Sequence, residues 1–324
     1  MQTVLVTGCA GFIGSVVCMQ LLSGGCKVIG VDNMNDYYDV TLKELRLRGL
    51  LGRNEFSFVK GDIEDGRLID ALMRSGERID VVYNLAARAG VRYSLQNPHV
   101  YMTTNLIGTL NILEAMRRNN VPKMVLASTS SLYAGQVMPY NEDLSVNTPI
   151  SPYAASKKAA EALAYSYFYL YGVSVSVVRY FTVYGPAGRP DMGVFRFIKW
   201  IDSAQPIELY GDGSQGRDFT YVDDIARGTI LSSAVSNYEV INLGGGGSPV
   251  QVADLIDMIA KKIGKKAIVK KMDFHRADVD STWANIDKAK RLIGWEPKVS
   301  LSEGLDRSIE WYFANKDLVQ TMKL

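Results

Sequence analysis

The stretch Thr3–Gly14, TVLVTGCAGFIG, constrains this chain more than any other. Thr3–Val6 is a β-branched run that reads as a strand, and Phe12–Leu22 has the apolar spacing of a helix. Between them Gly8, Gly11 and Gly14 allow a tight turn and a close backbone approach. A strand turning this directly into a helix opens a parallel sheet covered by helices. The alternation continues. Lys27–Val31, Phe56–Val59, Val81–Leu85, Met124–Ala127 and Val173–Val178 read as further strands, with helices notably at 100–118 and 153–171. The expected class is α/β, a Rossmann-type doubly wound parallel sheet.

The pattern changes after Tyr184. Gly185–Pro190, GPAGRP, is a loop signal, and the segments beyond it are shorter and mixed. Val240–Leu243 reads as one more strand, and helical spacing returns at 250–263 and 303–313. We therefore expect residues 1–183, with a returning segment near 221–246, to form the sheet domain. Residues 184–220 and 247–324 are expected to form a smaller mixed lobe, with the ligand in the cleft between.

Composition narrows the partners. The chain has 324 residues, 47% of them hydrophobic, which is enough for a large core. With 36 basic and 34 acidic side chains the net charge is +2, which gives no electrostatic case for nucleic acid or an anionic membrane. No apolar run approaches the ~20 residues of a membrane helix, and a soluble cytoplasmic protein is expected. Cys9, Cys18 and Cys26 read as reduced thiols. A metal site is not expected, because only two His exist and neither is near them in sequence.

The glycine turn also reads as a dinucleotide site. Gly8, Gly11, Phe12, Ile13 and Gly14 bring a helix N-terminus, with free N–H groups, to a pyrophosphate. Asp32 ends the second strand where a carboxylate bonds adenosine ribose hydroxyls and repels a 2′-phosphate, so NAD is favoured over NADP. Asn33 adjoins it. Asp62, followed by Ile63, reads equally as an acceptor for the adenine amino group or as a helix N-cap. Leu85, Ala86 and Ala87 end the fourth strand with residues small enough for a cofactor to lie against.

Tyr153 and Lys157 stand four apart on an expected helix, hence on one face. An ammonium there favours a phenolate, which can act as a general base. The fifth strand ends in Ser128-Thr129, which places hydroxyls beside that pair at the sheet's carboxyl edge.

These features, with Gly216–Asp224 (GRDFTYVDD), resemble the extended short-chain dehydrogenase/reductase family of nucleotide-sugar epimerases, dehydratases and decarboxylases. The resemblance runs from about Thr3 to Phe313. It implies Tyr153, Lys157 and Thr129 as catalytic residues, and Asn105, Ser128, Tyr180 and Val183 as further cofactor contacts. It also implies a UDP-sugar bound by the second lobe, with Arg217 at the phosphates. Dehydratases of this family carry Asp and Glu directly after the Thr, and decarboxylases usually have Glu where Ser131 stands. Here the positions hold Ser130 and Ser131, which points to 4-epimerisation.

Asp32–Asp39, Ala89–Ser94 and Tyr180–Met192 are similar to the UDP-glucuronate 4-epimerases, which interconvert UDP-glucuronate and UDP-galacturonate. On that reading Thr182, Ser130 and Ser131 hold the sugar carboxylate, and Arg88, Gly90, Val91, Arg92 and Arg189 complete the substrate site. The rivals are a UDP-glucose/UDP-galactose or N-acetylhexosamine epimerase, and a catalytically idle NAD-binding protein. Three places depart from the family: Arg88 for a frequent Gln, Tyr133-Ala134-Gly135, and the segment 274–279. In that segment Asp278 is expected near the nucleotide, and His275 and Arg276 are open candidates for the diphosphate. The resemblance further implies a homodimer built on helices 100–118 and 153–171. Leu163, Tyr167 and Leu170 would face either the partner or the core.

Overall fold

The computed structural model describes residues 1–74, 76–273 and 279–322. Its strands are β1 Thr3–Thr7, β2 Lys27–Asp32, β3 Phe56–Lys60, β4 Val81–Asn84, β5 Lys123–Thr129, β6 Ser174–Tyr180, β7 Thr182–Tyr184, β8 Ile207–Tyr210, β9 Gly216–Arg217, β10 Phe219–Tyr221, β11 Tyr238–Leu243, β12 Val250–Gln251 and β13 Val269–Met272. The α-helices are α1 Phe12–Ser23, α2 Val40–Leu51, α3 Gly66–Arg74, α4 Val91–Gln96, α5 Pro98–Tyr101, α6 Gly108–Arg118, α7 Pro152–Tyr171, α8 Gly193–Asp202, α9 Val222–Ser232, α10 Val252–Ile263, α11 Asp287–Ile293, α12 Leu301–Ala314 and α13 Lys316–Thr321.

Seven strands form one parallel sheet in the order β11-β6-β5-β4-β1-β2-β3. All seven are the strands expected from the apolar runs. The central strands β1, β4, β5 and β6 are buried on both faces, as a sheet covered by helices requires, while the edge strands β3 and β11 are partly exposed. The order reverses between β1 and β4, so their carboxyl ends diverge into a crevice. Polar side chains tie that point together. Thr7 Oγ1 donates to Asn84 Oδ1 at 2.8 Å and accepts from Ala86 N at 3.2 Å.

Helix α7 has both of its stop signals. Ser151 accepts from Ala154 N at 3.2 Å as the N-cap with Pro152 behind it, and Gly172 closes the helix at φ +70°. The helix expected over 100–118 is interrupted. It runs as α5, then a π-helical turn at Met102–Ile107, then α6. Apolar periodicity does not report this change, because one turn of i→i+5 bonding shifts the face by a single residue.

Small sheets and helices α8, α10, α12 and α13 pack around a separate apolar cluster that includes Ile198, Leu209, Ile256 and Leu305. One part of the expected lobe lies elsewhere. Ala284, Ile286, Ala289 and Trp295 belong to the core of the large sheet. Trp295 is fully buried and donates from Nε1 to Asp224 O at 2.8 Å. Among the described residues no helix is long and apolar enough to cross a membrane. We expect Trp295→Ala to destabilise the protein by about 3–5 kcal/mol, the usual cost of emptying a large buried aromatic site. Denaturant unfolding monitored by circular dichroism would measure it. A change under about 1 kcal/mol would contradict this packing.

Candidate active site

The crevice between β1 and β4 opens into a cleft with about 930 Å³ of empty space. Gly8, Gly11, Phe12, Ile13 and Gly14 line it, together with Asp32, Asn33, Asp62, Ile63, Leu85, Ala86, Ala87 and Arg88. The glycines are obligatory for packing. Gly8 has φ +71°, and a Cβ on it would lie 2.8 Å from Ala86 N. A Cβ on Gly14 would lie 2.0 Å from Gly8 O. Gly11 is the N-cap of α1 and brings no capping side chain, so the first N–H groups of the helix are left for an anion.

At the far pole Asp32 is buried. It accepts from Ala10 N at 3.2 Å and Met34 N at 2.8 Å. Asn33 donates to Asp62 at 2.7 Å. Asp62 is not the cap of α3, since Asp65 accepts from Arg67 N and Leu68 N there. Asp62 therefore stands free of the helix and faces the cleft. This set fits NAD: a glycine cradle with no room for side chains, a carboxylate at the ribose end, and a wall of small residues.

Two cations here escaped the sequence reading. Lys43 is buried in the cleft wall, 3.4 Å from Asp32 and 5.5 Å from the centre of the Tyr38 ring. Arg46 is buried one turn on. It donates to Ala187 O at 2.6 Å and 3.0 Å, to Gly188 O at 3.3 Å, to Ala10 O at 3.3 Å and to the Tyr38 hydroxyl at 2.6 Å. Their signal was present in sequence. Leu42, Lys43, Arg46, Leu47 and Leu50 share the buried face of α2, so two cations stand where the period calls for apolar residues.

The end of β5 that carries the hydroxyl cluster is bonded to the helix that carries Tyr153 and Lys157. The Thr129 hydroxyl is near enough to the Tyr153 phenol to act on it, while Thr129 Oγ1 itself donates to Ser131 Oγ at 3.1 Å. The Tyr153 ring meets Tyr101 edge-on at 5.9 Å. Lys157 is buried, and its Nζ donates to Ala127 O at 2.9 Å. Burial pulls the Lys157 ammonium down to about 8, against an opposing pull from Glu161. The phenol differs from expectation. Burial raises it above its ordinary value, while the Thr129 hydroxyl and the Arg189 charge pull the other way. Desolvation is the largest of these effects, so Tyr153 begins as the neutral acid.

Other expected contacts take varied positions. Asn105 sits in the π turn behind the cleft. It accepts from Arg88 N at 2.9 Å and donates to Arg88 O at 3.0 Å and Ser156 Oγ at 2.9 Å, which fixes the 85–90 loop. Ser128 turns its hydroxyl toward Glu161 at 2.6 Å. The Tyr180 hydroxyl meets Thr229 at 2.8 Å, inside the sheet's helical cover. Val183 and Thr182 line a small apolar pocket shared with Arg189. Ser130 and Ser131 begin the turn after Thr129, and Ser131 N donates back to Thr129 Oγ1 at 3.1 Å.

The arginines are already engaged. Arg189 bonds Asp191 through two nitrogens, at 3.0 and 2.6 Å, and lines both cavities. Arg88 reaches Asn35 at 3.4 Å beside the Tyr37 ring. Arg92 lies 3.8 Å from the centre of the Tyr210 ring, a contact across to β8 rather than into the NAD cleft. Arg217 donates to Gly216 O at 2.8 Å. Gly90 caps α4 at φ +111°, where a Cβ would meet the Tyr37 hydroxyl at 2.8 Å, and Val91 begins that helix. Asp278, His275 and Arg276 lie outside the described residues.

A family model described as GDP-mannose 4,6 dehydratase matches residues 5–308. The chain belongs to this family of extended short-chain dehydrogenase/reductases. It is 55% identical over 320 residues to the UDP-glucuronate 4-epimerase of Thermodesulfobacterium geofontis, covering 99% of each chain. It is 40% identical to a probable UDP-glucuronate 4-epimerase of Rhizobium meliloti, covering 96% of this chain and 97% of the other. Its fold matches the crystal structure of UDP-glucuronic acid 4-epimerase from Bacillus cereus in complex with UDP-glucuronic acid and NAD. That match has a TM-score of 0.91 and 37% identity, over 97% of this chain and 99% of the other.

Two outcomes follow from this geometry. If catalysis needs the Lys157 ammonium, turnover falls as pH rises through about 8, where Lys157 loses its proton. Lys157→Met should remove that alkaline limb and lower kcat by about 100-fold or more. A flat wild-type profile to pH 10 would exclude this role. Separately, Lys43→Met should weaken NAD binding about tenfold, or ~1.4 kcal/mol, by titration of the cofactor-stripped enzyme. An unchanged Kd would show that Lys43 only buttresses Asp32.

Proposed function

We propose that this enzyme is a UDP-glucuronate 4-epimerase, interconverting UDP-glucuronate and UDP-galacturonate by reversible oxidation at C4 with no net redox change. The reading rests above all on the Tyr153–Thr129–Lys157 group at the carboxyl edge of β5, beside a cleft built for NAD. NAD, when bound, takes up and returns the hydride at C4.

The chain's own residues handle the proton and the pose. Tyr153 would first lose its own phenol proton to solvent, favoured by the positive charges of bound NAD and of Lys157. As the phenolate it accepts the 4-hydroxyl proton and later gives it back, with the Thr129 hydroxyl beside the phenol oxygen. Lys157, once charged groups gather at the site, stabilises the phenolate from the next turn of α7. The intermediate is a 4-ketone that must turn over within the site before the hydride returns.

The family model carries a dehydratase's description, but dehydration needs an acid and a base beside the ketone. Ser130 and Ser131 occupy those places and supply neither. A 4-keto glucuronate is a β-keto acid and loses CO₂ readily, so its carboxylate has to be held out of line with the carbonyl π-system. Thr129 pairs with Tyr180 across β5 and β6, and Ser130, Ser131 and Thr182 continue from those paired ends. Three short hydroxyls there bind a carboxylate without crowding it. Arg189, on the rim of both cavities, orients the substrate. Arg217 and the segment around Asp278 complete the nucleotide end of this reading.

The proposal includes a cytoplasmic homodimer. Of the three side chains considered for its interface, Tyr167 is buried and its hydroxyl donates to Glu114 at 2.5 Å, and Leu163 packs on the core. Leu170 is exposed on α7 beside Tyr169, with Ile107 exposed on the neighbouring π turn. These support an apolar partner surface.

The test is NMR of the product formed from UDP-glucuronate without added NAD. We expect UDP-galacturonate and no pentose from the wild type. Thr182→Val should release CO₂ and a 4-keto pentose, at least several-fold above the wild-type background. Conversion of UDP-glucose but not UDP-glucuronate would overturn the substrate. No increase in CO₂ would remove Thr182 from carboxylate control.

A further inference from the structure

Beneath the reacting group lies a polar row that the mechanism above does not use. Ser128 on β5, Arg179 on β6 and Asn242 on β11 are register partners across three strands. Two residues earlier on the same face the row is Leu126, Val177 and Val240, as a sheet interior normally reads. Glu161 of α7 closes onto the polar row. It accepts from Ser128 Oγ at 2.6 Å, and from Arg179 Nε at 2.9 Å and Nη2 at 2.7 Å. Both members of the ion pair are almost fully buried. Arg179 Nη1 then donates to the Tyr133 hydroxyl at 2.7 Å, which donates to Asn242 Oδ1 at 2.8 Å.

These bonds bracket one short stretch of chain. Ser128 immediately precedes Thr129, and Tyr133 ends the turn that carries Ser130 and Ser131. Two consecutive residues of β5 are also fastened to α7 at successive turns. Ala127 O receives Lys157 and Ser128 donates to Glu161, immediately ahead of Thr129. A buried ion pair adds little net stability over an apolar replacement of equal volume. What this one supplies is position.

We propose that Glu161, paired with Arg179, is a positioning residue that locks the carboxyl end of β5 to α7 and so holds Thr129 and the following serines in register with Tyr153 and Lys157. This rests on the epimerase reading for its assay, but not for its structural test. Misplacing a reacting group by about 1 Å costs on the order of 100-fold in rate.

Two variants keep Arg179 paired and so protect folding. Ser128→Ala removes only the strand's bond to Glu161. Glu161→Asp keeps the charge but shortens its reach by one methylene. For both, kcat per NAD-loaded site should fall about 10- to 100-fold, with KM for the UDP-sugar changed less than about twofold. Hydrogen–deuterium exchange of the 127–131 peptide in the NAD-loaded enzyme should speed up, a readout that needs no sugar. A role in folding alone predicts lower yield or melting temperature with wild-type kcat per loaded site, and that result overturns the proposal. So does a loss carried by KM, or unchanged exchange in both variants. Failure of the wild type to turn over UDP-glucuronate would sink the substrate assignment and leave the exchange result standing.

Discussion

The contact on which the site depends is between two stretches of backbone, Gly8 and Ala86, with no side chain between them. It lies where the sheet order reverses, and it sets how closely the ends of β1 and β4 approach. From it follow the direction of α1, the bareness of that helix's N-terminus and the wall of small residues at 85–87. A methyl group at Gly8 would wedge the two strand ends apart and displace every element that faces the dinucleotide.

The reacting group hangs on a second seam, between β5 and α7. In the proposed reaction a tyrosine takes the proton of a hydroxyl while a hydride leaves the carbon that bears it. What distinguishes this member is modest in size. Hydroxyls follow Thr129 where a dehydratase would carry carboxylates, and on the proposed reading those two positions offer no base for a neighbouring proton. The family's name and the reaction read from the site are therefore compatible. One describes the shared scaffold and the other the side chains beside C4.

The sheet was legible because buried parallel strands are written as short β-branched runs, and Asp32 because it closes one of them. The helix that carries Tyr153 and Lys157 was legible because its apolar spacing runs unbroken from its Ser-Pro start to its closing glycine. Features set by hydrogen-bond register or by distant packing were not. The π turn at 102–107 leaves the apolar spacing almost intact. Lys43 and Arg46 look like solvated charges until the loop at 185–188 folds over α2. Trp295 joins the sheet core from the far end of the chain, a choice made by contacts some 70 residues apart. Asp62 and Asp65 compete for one capping role, and only coordinates separate them. Arg92 carries the charge expected of a substrate contact, yet its guanidinium is laid on Tyr210.

Arg46 has a consequence for how the site moves. Its guanidinium clasps carbonyls from the glycine turn and from the 187–188 loop at once. Lifting that loop would give up its bonds to Ala187 O and Gly188 O, at roughly 1.5–3 kcal/mol for each charged bond lost. Turn and loop, far apart in the chain, are thereby riveted into one wall, and a shift of either is carried to the other.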